Sequence, residues 1–156
     1  MRLAVYPGTF DPLTLGHLDI VEQAAGIFDQ VLVAVAQSAA KVPLLDVDRR
    51  VAAATAAVAH LDNVTCAPFD GLLVDLVRGR GACAVVRGVR GHGDFEIEQQ
   101  MALTNRRLAG SLTTCLLIPA PEHLGIASKL VREIVAHGGD VSGLVPPAVL
   151  PFLPRR

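Results

Sequence analysis

Thr9, Gly16 and His17 stand in one short run, Tyr6-Pro7-Gly8-Thr9-Phe10-Asp11-Pro12-Leu13-Thr14-Leu15-Gly16-His17, between an apolar segment and an apolar-periodic one. Residues of these types suit a phosphate group. Glycine at positions 8 and 16 lets backbone approach an anion closely, Thr9 offers a hydroxyl, and the first N–H groups of the following helix carry partial positive charge. A histidine at that helix start adds a hydrogen-bond donor even when its ring is neutral, the state a helix N-terminus favours. Ordinary turn and cap chemistry also accounts for each residue singly, so both readings stay open here.

A second group lies in Arg87-Gly88-Val89-Arg90-Gly91-His92-Gly93-Asp94-Phe95-Glu96-Ile97-Glu98. Two guanidinium forks flanking bare backbone suit bidentate phosphate recognition, and Gly88 permits close approach of a nucleotide. The alternative is a pair of solvated turn arginines, with Glu96, Glu98, Gln99 and Gln100 forming a wet helix face. Neither GxxxxGK[ST] nor GxGxxG occurs in this run. His60, His92, His123 and His137 lack HExxH or similar pairing, so no protein-built metal site is expected.

Five short apolar runs are expected as strands: 3–6, 30–36, 64–67, 84–87 and 113–118. Longer periodic segments predict helices over 17–27, 46–60, 72–79, 94–109 and 128–137, with Asp46 and Asp94 as N-caps. This alternation predicts an α/β fold, a Rossmann-like doubly wound sheet of about five parallel strands with helices on both faces. In a parallel sheet the C-terminal strand ends share one edge. Thr9 and His17 follow the first strand, Lys41 the second, Arg87 and Arg90 the fourth, and Ser128 and Lys129 the fifth. With the usual strand order, first and fourth strands adjoin at the switch point and these groups converge there.

The 156 residues suit one domain, with a proline-rich tail from about 145 that packs on the body, packs on a neighbouring subunit, or frays. Fourteen Lys and Arg balance 15 Asp and Glu without a basic stripe, so no nucleic-acid partner is expected. No apolar run is long enough for a membrane span and no signal peptide opens the chain, which predicts a cytoplasmic protein. Cys66, Cys83 and Cys115 lie on or beside apolar strand segments without metal-ligand spacing, and read as buried hydrophobes.

The opening run resembles the T/HxGH signature of the nucleotidyltransferase superfamily. With Ser38-Ala39-Ala40-Lys41-Val42-Pro43 and the 87–98 segment, the resemblance narrows to the phosphopantetheine adenylyltransferase family and extends from Tyr6 to about Val145. It implies transfer of AMP from ATP to 4′-phosphopantetheine, giving dephospho-coenzyme A and pyrophosphate with Mg²⁺ present. It also implies a homohexamer inhibited by coenzyme A. By the same resemblance His17, Lys41 and Arg90 are catalytic. Thr9, Lys41, Leu73 and Arg87 bind phosphopantetheine. Thr9, Phe10, His17, Gly88, Val89, Arg90 and Glu98 surround ATP, and His123, Leu124, Gly125, Ile126, Ala127, Ser128 and Lys129 close over its phosphates. The chain departs from the family where Ala127 and Lys129 flank Ser128 in place of a serine run. Rival readings are an enzyme of the same signature making NAD precursors or CDP-alcohols, and a non-catalytic nucleotide or coenzyme A sensor.

Overall fold

The computed structural model describes residues 1–37 and 42–154; Lys41 lies outside the described residues. Five strands, β1 (Leu3–Gly8), β2 (Gln30–Ala36), β3 (Val64–Phe69), β4 (Ala84–Gly88) and β5 (Thr113–Leu117), form a parallel sheet in the order β3-β2-β1-β4-β5. The strand order is the doubly wound one expected. Helices α1 (Leu15–Ile27), α2 (Val47–Ala57), α3 (Leu73–Arg80), α4 (His92–Ala109) and α5 (Ser128–Ala136) make the crossovers and the final layer.

Alternate residues of the central strands feed two cores. Tyr6, Val31, Val33, Val35 and Val86 pack with Ile20 and Ala24 of α1, Ala53 and Ala54 of α2, and Val131 of α5. Val5, Leu32, Ala34 and Val85 face the other way, against Val74 and Val77 of α3. Burying each Val, Leu or Ile side chain among them is worth roughly 1.5–3 kcal/mol, which is why the near-continuous apolar strands sit in the middle. The expectation of burial on both faces fails for the edge strands: β3 and β5 have no fully buried residue, because each has a neighbour on one side only. Cys66 and Cys115, on these two strands, are accordingly half-buried. Cys83 is exposed, since it precedes β4 rather than lying within it. The tail packs on the body, where the 3-10 turn Pro147–Phe152 lies against α2 and the Arg49 guanidinium donates to the Phe152 carbonyl at 2.6 Å.

Two helix starts differ from expectation. Asp46 caps α2, accepting from the Arg49 N–H at 2.8 Å, but α4 begins two residues before Asp94 with Gly91 as an uncapped start. Helix α1 begins at Leu15, with Thr14 as its cap and His17 in its first turn.

Gly8 is required by packing. A Cβ built there would stand 2.8 Å from the Phe10 ring, and Phe10 itself holds a positive φ of 48° that turns the chain back under β1. Gly8→Ala should therefore lower stability by about 1–3 kcal/mol in urea unfolding. Gly26→Ala, in exposed helix with open space at its Cβ, should raise it by about 0.5–1 kcal/mol.

Candidate active site

At the switch point β1 and β4 pair only through Ala4 with Ala84 and Val5 with Val85, then separate. The cleft that opens there has a volume of about 380 Å³ and is walled by the 6–10 turn, the start of α1, Arg87, Gly88, Arg90 and the start of α5. One connection is already in place across the gap: the Arg87 Nη1 donates to the Pro7 carbonyl at 2.7 Å.

His17 is fixed by its own helix cap. The Thr14 hydroxyl accepts the His17 N–H at 3.3 Å, and the Thr14 N–H donates to His17 Nδ1 at 3.1 Å. A nitrogen that accepts carries no proton, so the proton of the neutral ring is on Nε2. Burial, then the Arg90 and Arg87 charges, lower the His17 pKa to about 4, and the ring is neutral at pH 7. Edge-on contact with Phe10, with ring centroids 5.1 Å apart, and Phe10's own edge-on contact with Tyr6 at 5.2 Å set the plane of the imidazole. The cleft thus holds a neutral, oriented donor.

Arg87 is not a solvated turn residue, whereas Arg90 is exposed in the turn after β4 but paired there. Arg87 makes a two-pronged bond to Glu98, Nε to Oε2 and Nη2 to Oε1, both at 2.7 Å. Burial opposes its charge, yet Glu98 prevails and the guanidinium holds its proton more firmly than a free arginine. Glu98 is 7% exposed, the one buried residue of α4, so the wet-face reading fails for it. Three of the five Arg87 donors are engaged, which leaves two for a ligand. Arg90 pairs with Asp94, Nε to Oδ2 at 2.9 Å, and reaches the Ile126 carbonyl at 3.2 Å. The Arg90 hydrogen bond holds the Asp94 carboxyl below the usual carboxylate range.

Charge balance at the cleft therefore falls to α5. Among the described residues, Lys129 and Arg132 line it without a carboxylate partner. Arg132 was missed in the sequence, although its spacing three after Lys129 and four after Ser128 puts all three on one helical face. Ser128 donates its hydroxyl to the Pro12 carbonyl at 2.9 Å, and no side chain caps α5. The segment before α5 is held on α1 by Asp19, which accepts the Ala120 N–H, and by Gln23, which donates to the Ile118 carbonyl.

Of the predicted site residues, Thr9, Phe10, His17, Arg87 and Gly88 come together in the cleft. So do Arg90, Glu98 and the run from Ile126 to Lys129. Val89 is buried beside the cleft without lining it, and His123, Leu124 and Gly125 stay outside its lining, with the His123 carbonyl over Gly16. Leu73 borders a small neighbouring pocket that shares Arg87 and Glu98 and includes Met101 and Asn105. Tyr6, Thr14 and Asp94 line the main cleft and were not singled out as site residues.

Residues 5–134 match the cytidylyltransferase-like family. A phosphopantetheine adenylyltransferase of Heliobacterium modesticaldum is 49% identical over 150 residues, which cover 96% of this chain and 89% of that protein. The enzyme of that name from Stenotrophomonas maltophilia is 51% identical over 152 residues, 97% of this chain and 90% of its own. A structure assigned as a nicotinate-nucleotide adenylyltransferase from Vibrio parahaemolyticus superposes with a TM-score of 0.74 over 97% of this chain and 91% of that one. At 20% identity it speaks for the fold alone. With the cleft described above, these likenesses place the chain in the cytidylyltransferase-like family and, within it, among the phosphopantetheine adenylyltransferases.

Proposed function

We propose that the chain transfers the adenylyl group of ATP to 4′-phosphopantetheine, forming dephospho-coenzyme A and pyrophosphate, the penultimate step of coenzyme A synthesis. One observation carries this reading: identity of 49–51% along nearly the whole chain to proteins named for that activity, in a chain whose Thr9, His17, Arg87 and Arg90 line one cleft.

An oxygen of the acceptor phosphate attacks the α-phosphorus, the bond from that phosphorus to the bridging oxygen breaks, and the electron pair leaves with pyrophosphate. The attacking group is already anionic, so positioning and charge stabilisation suffice without a covalent enzyme intermediate. The Nε2–H of His17 donates to the α-phosphate oxygen on which charge grows. Thr9, Lys41 and the free donors of Arg87 take the acceptor phosphate, and Leu73 lies along the pantetheine arm. Arg90, Lys129 and Arg132 face the phosphates of ATP, with the 123–129 segment over them. Mg²⁺ enters as the complex with ATP. Among the described residues no three His, Cys, Asp or Glu side chains gather to hold a metal, and Asp94 and Glu98 are engaged by arginines. Phosphate oxygens and water would supply the ion's coordination.

Coenzyme A shares the nucleotide and pantetheine parts of the product, and in this reading it inhibits by competing for the same cleft. The homohexamer is supported by α4, where Phe95, Ile97, Met101, Leu103 and Leu108 are all at least 41% exposed, an apolar surface of the kind that copies of a chain cover. No helix among the described residues is long and apolar enough to cross a membrane.

Pyrophosphate release should appear with ATP and 4′-phosphopantetheine, and not with nicotinate mononucleotide or with CTP and a phosphorylated alcohol; the reverse pattern would overturn the assignment. His17→Ala should lower kcat by about 10²-fold or more and leave ATP affinity within a few-fold. The ring of His17 should titrate by NMR with a midpoint near pH 4. The unfolded chain takes up that proton below about 6.5, so its contribution to stability falls as pH drops from there towards 4. Lys41→Ala should chiefly raise KM for phosphopantetheine, as steady-state kinetics with each substrate varied will record. Light scattering of Leu103→Asp should show a smaller assembly than the native chain.

A further inference from the structure

Arg50 is 2% exposed and Asp11 3%, yet neither lines the cleft. Among the described residues no carboxylate stands within ion-pair distance of the Arg50 guanidinium. It donates instead to three carbonyls, from Nε to Leu45 at 3.0 Å and from Nη1 to Thr9 and Ala36 at 2.8 Å each. Asp11 completes the tie in the opposite sense, its carboxylate accepting the N–H groups of Leu44 at 2.8 Å and Leu45 at 2.9 Å. The turn after β1 is thereby locked to the end of β2 and to the approach to α2.

Between the two gripped residues sits Phe10, with its φ of 48°. A non-glycine residue is unfavourable there and persists where the surroundings over-determine it. Four neighbouring polar groups contribute: the Thr9 carbonyl goes to Arg50, the Asp11 carboxylate to Leu44 and Leu45, the Asp11 carbonyl to Arg132 at 2.8 Å, and the Pro12 carbonyl to Ser128. A buried guanidinium with no carboxylate within ion-pair distance is costly to desolvate, so tying loops for stability alone does not call for one. What it achieves is a fixed relation among three backbone positions, one of which is Thr9.

We infer that Arg50 and Asp11 are positioning residues, a buried clamp that fixes Thr9 and the Phe10 ring relative to His17 without touching substrate. The inference rests on the adenylyl-transfer reading for its effect on turnover. The test uses full-length Arg50→Lys and Asp11→Asn. Lysine keeps the charge but not the planar fork, and asparagine turns one of two acceptors into a donor facing an N–H. Both variants should be folded by circular dichroism well below their melting temperatures and should bind ATP within about threefold of the native chain. Their kcat per folded molecule should fall about tenfold or more, since small displacements of reacting groups are expensive in rate. In Arg50→Lys the Leu44 and Leu45 amides should also exchange hydrogen faster, although residue 50 touches neither N–H. Native kcat in the folded variants, a loss equal to the unfolded fraction, or unaltered exchange at Leu44 and Leu45 in Arg50→Lys would each overturn the clamp. Exchange needs no substrate, so a native chain that releases no pyrophosphate counts against the functional reading while exchange still decides the clamp.

Discussion

The cleft exists because β1 and β4 stop pairing. β1 keeps six register pairs with β2 on one side and only two with β4 on the other, so past Val5 its remaining residues border open space. Backbone groups that lose a strand partner need another. The Arg87 guanidinium provides one for Pro7, and Glu98 holds Arg87 in turn, which docks α4 through an ion pair where the sheet's own hydrogen bonding ends. A gap between strands is thus also a fixed mount for a cation.

Orientation at the gap comes from packing as much as from polar contact. Tyr6, Phe10 and His17 form an edge-on series whose first member belongs to β1 and whose last belongs to α1. Gly8 leaves room for the middle ring. The imidazole consequently inherits its plane from the sheet, and its tautomer from the helix cap at Thr14. Strand, turn and helix each determine one property of a single donor.

Much of this was legible in the chain. Uninterrupted apolar runs such as Val31 to Ala36 separate strands buried on both faces from helices, and the parallel topology then brings Thr9, His17, Arg87 and Arg90 to one edge without further information. Contacts that depend on what a side chain meets in three dimensions were not legible. Glu98 reads as one acid among several on a polar helix, and only the approach of Arg87 from β4 makes it a buried partner. Asp94 reads as a cap because its residue type favours one, yet Arg90 four residues back competes for the same carboxylate. Arg50 and Asp11 carry no such signal, since most of their partners are backbone groups distant in the chain.

Pairing Arg87 with Glu98 and Arg90 with Asp94 has a consequence for the end of the catalytic cycle. A chamber whose every cation stood bare would grip its most highly charged product as hard as the reactants, and turnover would be limited by escape. Here two of the guanidinium charges are already paired with carboxylates, and among the described residues the other cations lining the cleft stand on a single helix at the rim. The leaving oligoanion is held by direction more than by excess charge, which lets it depart.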